Sequence, residues 1–295
     1  MNAAPGAVLI RGIIVAAFGR QYLVKSDTGQ MLLCVPRGKK SEVACGDRVL
    51  LALTSPNQGV IESTEARSTL LKRSAAYRQK LIAANATQVA IVVAAEPSFS
   101  EELICRLIVG AEEQGMKSLL ILNKADLSAT SSARERLVPF TAAGHRLAEI
   151  SAIHDCSALL PFLQHETTVL VGQSGMGKST LINGLVPDAE ASTREISAFL
   201  DSGRHTTTHA RIYTLDASSM LIDCPGLQEF GLHHMTRGQI EYGFAEFRPF
   251  LGKCRFNDCR HEVEPGCALV AARDAGQVSA RRFELLLRIL AAERA

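Results

Sequence analysis

The sequence predicts a multidomain chain: a small N-terminal β-barrel, an α/β unit built on a parallel sheet, and a helical C-terminal piece. Three observations carry this. Residues 1–70 hold five short runs of β-branched and apolar residues separated by polar turns. From residue 71 such runs alternate with segments of helical periodicity, as in a parallel sheet covered by helices on both faces. Beyond about residue 235 the pattern is mainly helical, interrupted by three cysteines and a histidine. The expected domains are 1–70, 71–234 and 235–295, and 295 residues that are 47% hydrophobic can bury two or three cores.

The barrel strands are read at residues 8–18, 22–26, 31–35, 49–53 and 60–62. Turn signals stand between them at Asp27-Thr28-Gly29, Gly46-Asp47 and Pro56-Asn57. Five short strands with polar turns suggest an OB-fold. Arg11, Arg20, Lys25, Arg37, Lys39, Lys40 and Arg48 make this piece basic. A solvated face and a nucleic-acid contact both account for that.

In the second unit, residues 89–95 and 119–122 read as buried strands. Between them, residues 100–114 have helical periodicity, opening on Ser100 with Glu101 and Glu102 in the first turn and stopping at Gly115. A helix over 131–143, strands at 147–151 and 168–171, a helix from Lys178, and strands at 212–215 and 220–223 follow. An amphipathic helix runs from about Ser279 to the end.

Thirty-two basic residues against thirty acidic ones leave the chain close to neutral, which neither demands nor excludes a nucleic-acid partner. No apolar run approaches the roughly 18 residues that span a bilayer, and the N-terminus carries no signal-peptide pattern. A soluble, cytoplasmic protein without a membrane partner is expected. Cys34, Cys45, Cys105, Cys156 and Cys224 are scattered and read as core residues.

Residues 172–179 read Gly-Gln-Ser-Gly-Met-Gly-Lys-Ser and fit the phosphate-loop pattern of glycine, four residues, then Gly-Lys-Ser/Thr. A strand before and a helix after supply the right context. Gly172, Gln173, Ser174, Gly175, Met176, Gly177, Lys178, Ser179 and Thr180 are the expected phosphate-binding set. Converging backbone N–H groups and the positive end of the helix attract phosphate oxygens. Lys178 would neutralise the β- and γ-phosphates, and Ser179 would place its hydroxyl on Mg²⁺. Downstream, an apolar strand ends in Asp223, followed by Cys224-Pro225-Gly226. Asp223 would hold Mg²⁺ through its water shell, and Gly226 would offer its N–H to the γ-phosphate. An isolated Asp-x-x-Gly is common; its value lies in its position after the phosphate loop.

Asn123-Lys124-Ala125-Asp126 follows a buried strand. A carboxylate at Asp126 can accept both N1–H and N2–H₂ of guanine, whereas adenine offers neither donor and leaves it unpaired. Asn123 and the stem of Lys124 would brace base and loop. Ser151-Ala152 stands where a backbone N–H can meet guanine O6. The order is unusual: ordinary GTPases carry the phosphate loop first, and here the base reader precedes it. A permuted connection changes chain order and leaves strand adjacency intact.

Cys254, Cys259, His261 and Cys267 have spacings of four, one and five intervening residues, and Pro265-Gly266 supplies a turn that returns Cys267 to the others. Three thiolates and one imidazole match a closed, structural Zn²⁺ site; the alternative is a set of reduced cysteines without metal. Arg255, Arg260, Arg273, Arg281 and Arg282 lie nearby and read either as rRNA phosphate contacts or as solubilising charge.

Together these residues resemble the ribosome small-subunit-dependent GTPase family, circularly permuted GTPases of 30S ribosome biogenesis. The resemblance spans nearly the whole chain. It rests on the barrel, residues 123–126, 172–180, the run Gly203-Arg204-His205-Thr206-Thr207-Thr208, residues 223–226 and the cysteine cluster. It implies an OB-fold, a permuted GTPase domain and a zinc-binding helical domain. It also implies GTP hydrolysis to GDP, stimulated by the small ribosomal subunit, with rRNA as a partner of a monomeric cytoplasmic protein. Residues 203–208 match the family's mobile switch, in which Thr207, with Thr206 and Thr208 as alternatives, would bind Mg²⁺. The position after Gly226, where many GTPases carry a water-orienting glutamine, holds Leu227. His205 is then the best local replacement, in either a catalytic or a structural role.

Overall fold

The computed structural model describes residues 9–38, 43–75, 78–187, 189, 210–224 and 227–293. Five strands form the N-terminal barrel: β1 (Leu9–Phe18), β2 (Gln21–Ser26), β3 (Met31–Pro36), β4 (Arg48–Ser55) and β5 (Gln58–Thr64). They run in the order β1-β2-β3-β5-β4 and close through β1–β4; β3 and β5 are parallel and the other pairs antiparallel. This is the OB-fold order the sequence suggested. Along β1 burial alternates from Arg11 to Ala16, as expected of a strand with one face on a core. That face sends Ile14 inward against Val24, Leu32, Val49, Leu51 and Ile61.

A hairpin that the sequence reading passed over follows, β6 (Leu70–Ala75) with β7 (Arg78–Ala84). Lys72, Arg73 and Lys80 interrupt its apolar pattern, so neither strand stands out in sequence. Two bonds hold it in place: just after β7, Asn85 Nδ2 donates to Gly46 O at 3.0 Å in the β3–β4 connection, and Ser74 N donates to Gly231 O at 3.1 Å in the stretch after β13.

The central sheet contains β8 (Gln88–Ala94), β9 (Lys117–Asn123), β10 (Arg146–Glu149), β11 (Thr167–Val171), β12 (Arg211–Thr214) and β13 (Met220–Asp223). Its order is β10-β9-β8-β11-β13-β12, parallel except for β12. Every residue of β8 is buried, as a central strand covered on both faces must be. Among the described residues, the unit also carries helices α1 (Glu101–Glu113), α2 (Thr130–Ala142), α3 (Leu160–Leu163) and α4 (Lys178–Leu185). Ser100 caps α1, its side chain accepting from Leu103 N. The barrel and this sheet are continuous, because β1 pairs antiparallel with β12 at Ala16 and Arg211, and Ala17 N donates to Ala210 O at 3.2 Å.

The C-terminal region contributes α5 (Arg237–Tyr242), a 3₁₀ segment (Ala245–Phe250), α6 (Ala268–Asp274) and α7 (Ala280–Ala292), the last capped by Ser279, next to the start expected from the sequence. Arg282 of α7 is 1% exposed. Its guanidinium lies over the rings of Phe140 and Phe244, at 4.7 and 4.6 Å from their centroids. It donates to Glu246 Oε1 at 2.7 Å and to Cys105 Sγ at 3.2 Å. Arg281 and Arg136 both donate to Glu101 at the start of α1, at 2.7 and 2.8 Å. These contacts fasten α7 to α1 and α2, and they correct the reading of Arg282 as an rRNA contact: it is consumed inside the protein. No helix among the described residues is long and apolar enough to cross a membrane.

Candidate nucleotide site and metal cluster

The phosphate-loop residues connect the end of β11 to α4. Two glycines there are demanded by close approach. A Cβ on Gly172 would lie 2.4 Å from Val92 O, and one on Gly177, whose φ is +88°, would lie 2.3 Å from Asn123 Nδ2. Met176 is buried beneath the loop, while Ser174, Gly175, Ser179 and Thr180 are exposed. Gln173 Oε1 accepts from Ser100 N at 2.8 Å, tying the loop to the start of α1. Lys178 Nζ donates to Gly172 O at 2.5 Å and Gln173 O at 3.1 Å, so its ammonium is folded against its own loop. Burial lowers the Lys178 pKa, against the opposing pull of Asp223. Burial raises the Asp223 pKa, against the pull of Lys178 and Arg211.

The base-reading segment follows β9, two strands from the phosphate loop. Asn123 is 1% exposed and joins three segments. Its Nδ2 donates to Met176 O at 2.9 Å in the phosphate loop, and its Oδ1 accepts from Ala152 N at 3.0 Å. Ala125 N donates to Ile150 O at 3.0 Å, holding the segment against the end of β10. Lys124 has a φ of +59°, and its ammonium donates to Glu96 O at 2.7 Å. Asp126 is exposed and accepts from the Ser151 hydroxyl, which, as the leading cause, lowers its pKa. The structure thus brings 123–126, 151–152 and 172–180 together although they are spread through the sequence.

Asp223 ends β13 between β11 and β12, with Leu170 and Arg211 as its register partners on the two sides. Leu227 is 6% exposed and packs into the core. His205, Thr207 and the rest of residues 203–208, together with Pro225 and Gly226, lie outside the described residues.

Cys254, Cys259, His261 and Cys267 converge as the spacing predicted, with their ligand atoms all within 4.8 Å of one another. His261 Nδ1 lies 3.5 Å from Cys254 Sγ and 3.3 Å from Cys267 Sγ. Ala268 N and Val270 N point at the sulfurs of Cys254 and Cys267, both at 3.4 Å, as donors to thiolates do. The donor set can hold a metal ion. The other five cysteines are buried and unbridged.

Fold and site together define a circularly permuted P-loop GTPase. The strand bearing the phosphate loop is flanked by β8 and β13, and the base-reading strand comes earlier in the chain. Residues 64–233 match the family model described as RsgA GTPase. A "Small ribosomal subunit biogenesis GTPase RsgA" of Nitrosospira multiformis is 56% identical, covering 96% of this chain and 90% of its own length. The same-named protein of Paraburkholderia phytofirmans is 50% identical over 97% of this chain and 94% of its own. Among solved structures, YjeQ from Thermotoga maritima superposes with a TM-score of 0.73 at 25% identity, covering 98% of this chain and 99% of that one. YloQ, titled a circularly permuted GTPase, shares the fold at 22% identity, with a TM-score of 0.69 and coverage of 100% and 98%. The chain belongs to the RsgA GTPase family.

Proposed function

We propose that this protein hydrolyses GTP to GDP and phosphate and acts in maturation of the small ribosomal subunit, as the names of its relatives state for them. The observation that carries the nucleotide half is Asn123, whose one amide clasps the phosphate loop and residue 152. That clasp supports the reading in which Asp126 and the phosphate-binding residues serve one ligand.

In this reading GTP lies with its base against Asp126 and its phosphates in 172–180. The Asp126 carboxylate accepts from guanine N1 and N2, with Ser151 orienting it and the Ala152 region facing O6. Lys178 exchanges the carbonyls of Gly172 and Gln173 for phosphate oxygens, a charge-assisted contact stronger than the ones it leaves. Ser179, Asp223 and Thr207 form the set for Mg²⁺, an ion that neutralises charge on the β- and γ-phosphates. Gly226 meets the γ-phosphate. Leu227 cannot orient water, so that task falls to His205, and ordering of the switch by the subunit raises the rate.

The Cys₃His set fits Zn²⁺ in composition and closure, with no position left for substrate, so the ion's role is structural. We divide the chain into a barrel (1–70), a GTPase domain (71–234) and a metal-binding helical domain (235–295), in a monomeric cytoplasmic protein. Basic side chains of the barrel and the metal region, such as Lys25 and Arg255, are the candidates for rRNA phosphates. Arg11 and Arg37 are already paired with Glu65 and Glu62.

Competition binding with GTP, ATP and xanthosine triphosphate tests the base assignment. Wild type should prefer GTP, and Asp126→Asn should lose guanine affinity by roughly 10–100-fold, the worth of about 1–3 kcal/mol, while gaining xanthine affinity. An unchanged guanine preference in Asp126→Asn would remove Asp126 from the site.

A further inference from the structure

The imidazole in the metal cluster has a second partner. Its Nδ1 faces the sulfurs of Cys254 and Cys267, while its Nε2 lies 3.3 Å from Glu241 Oε1 on α5. The same oxygen of Glu241 accepts from Arg237 Nε at 2.6 Å, and Arg237 Nη2 donates to Cys259 O at 3.1 Å. Glu241, Arg237 and the ligand loop therefore form a closed ring of contacts around His261, itself 5% exposed. An imidazole that gives Nδ1 to a cation must carry its proton on Nε2, and a carboxylate at Nε2 favours that tautomer and fixes the ring plane.

We propose that Glu241 is a positioning residue of the metal site: it holds His261 as an Nδ1 ligand, and Arg237 holds Glu241. This rests on the reading of the cluster as a Zn²⁺ site. The consequence reaches beyond the cluster. Helix α5 begins at its Thr236 cap, in the stretch that leads from Leu227 into the helical region. Through Glu241 the bound ion anchors α5 as well as its own loop.

The test is a zinc competition titration of the full-length protein against a chromogenic chelator, with far-UV circular dichroism confirming that each variant is folded. Glu241→Ala should weaken zinc retention by roughly 10–100-fold, the usual cost of losing such a partner. Glu241→Gln, which keeps an acceptor for Nε2–H and the side-chain shape, should lose less. In a His261→Cys background, where four thiolates bind and no imidazole needs orienting, Glu241→Ala should cost nothing further. Equal retention by wild type and Glu241→Ala would overturn the assignment. So would an undiminished loss in the His261→Cys background, because Glu241 would then merely support α5. A wild-type protein purified without zinc, and unable to take it up, overturns the metal reading itself, a result distinct from either.

Discussion

The nucleotide site and the metal cluster are built in opposite ways. The proposed nucleotide site gathers residues 123–126, 151–152, 172–180 and 223 from the ends of four parallel strands, and only the sheet order makes them neighbours. The metal cluster takes all its ligands from residues 254–267, between a 3₁₀ segment and α6, and its convergence is a property of one loop. A dispersed site survives permutation of the chain because strand adjacency defines it. A local site survives changes that leave its loop and the Glu241 contact from α5 intact. Damage should therefore spread from the first and, in the second, reach no further than α5, which Glu241 ties to it.

The sharpest way to break that contrast is at the joint between the two regions. Arg282→Ala leaves the Glu246 carboxylate without its main partner and empties the space between Phe140 and Phe244. It should cost about 3–5 kcal/mol of stability, read by urea unfolding. The metal ligands are untouched, so zinc content should stay at one per folded chain. Asn123→Ala attacks the dispersed site directly. It removes two hydrogen bonds that join three segments, and nucleotide affinity should fall by roughly 100-fold, about 3 kcal/mol for two buried groups left unpaired. Equilibrium binding with a fluorescent GDP analogue measures it, and a loss below a few-fold would mean the segments are held by the sheet alone.

Acid provides a graded version of the same test. His145 is buried, with Nδ1 at 3.0 Å from Ser118 Oγ. Burial, reinforced by Arg282, lowers its pKa from 6.5 to about 4. A depressed folded pKa means the unfolded chain binds the proton first. The neutral ring's stabilisation is complete above 6.5 and is lost as the pH falls towards 4. Between pH 7.5 and pH 5 this group should withdraw about 2 kcal/mol of stability. His145→Asn should flatten that part of the profile. The smallest effect should come from stripping the metal. Chelation should unfold the loop at 254–267 and change guanine-nucleotide affinity by less than about tenfold, as expected for independent sites.

The same contrast explains what was legible in the sequence. Asn123-Lys124-Ala125-Asp126 and the phosphate loop are short, spaced motifs whose backbone chemistry tolerates few alternatives, and they were readable even in reversed order. So were β8, apolar throughout, and α1, with its Ser100 cap. The β6–β7 hairpin was not readable, because cationic residues interrupt its apolar pattern and its partners lie in the barrel and at Gly231. The β1–β12 seam was equally hidden, since it joins residues nearly 200 positions apart through a few backbone contacts. Arg282 was misread for a related reason. An arginine on an amphipathic helix reads as surface until Glu246 and two aromatic rings are seen to enclose it. Glu241 carries no motif at all; only the position of His261 Nε2 reveals it.

The central claim is that a guanine-nucleotide site without the usual water-orienting side chain becomes a competent hydrolase on the small ribosomal subunit. The direct measurement is GTP turnover by the purified protein, alone and with purified small subunits at matched salt. The account predicts slow turnover alone and acceleration on the scale of assisted GTPases, roughly 10³-fold or more. Turnover that small subunits leave unchanged would contradict it.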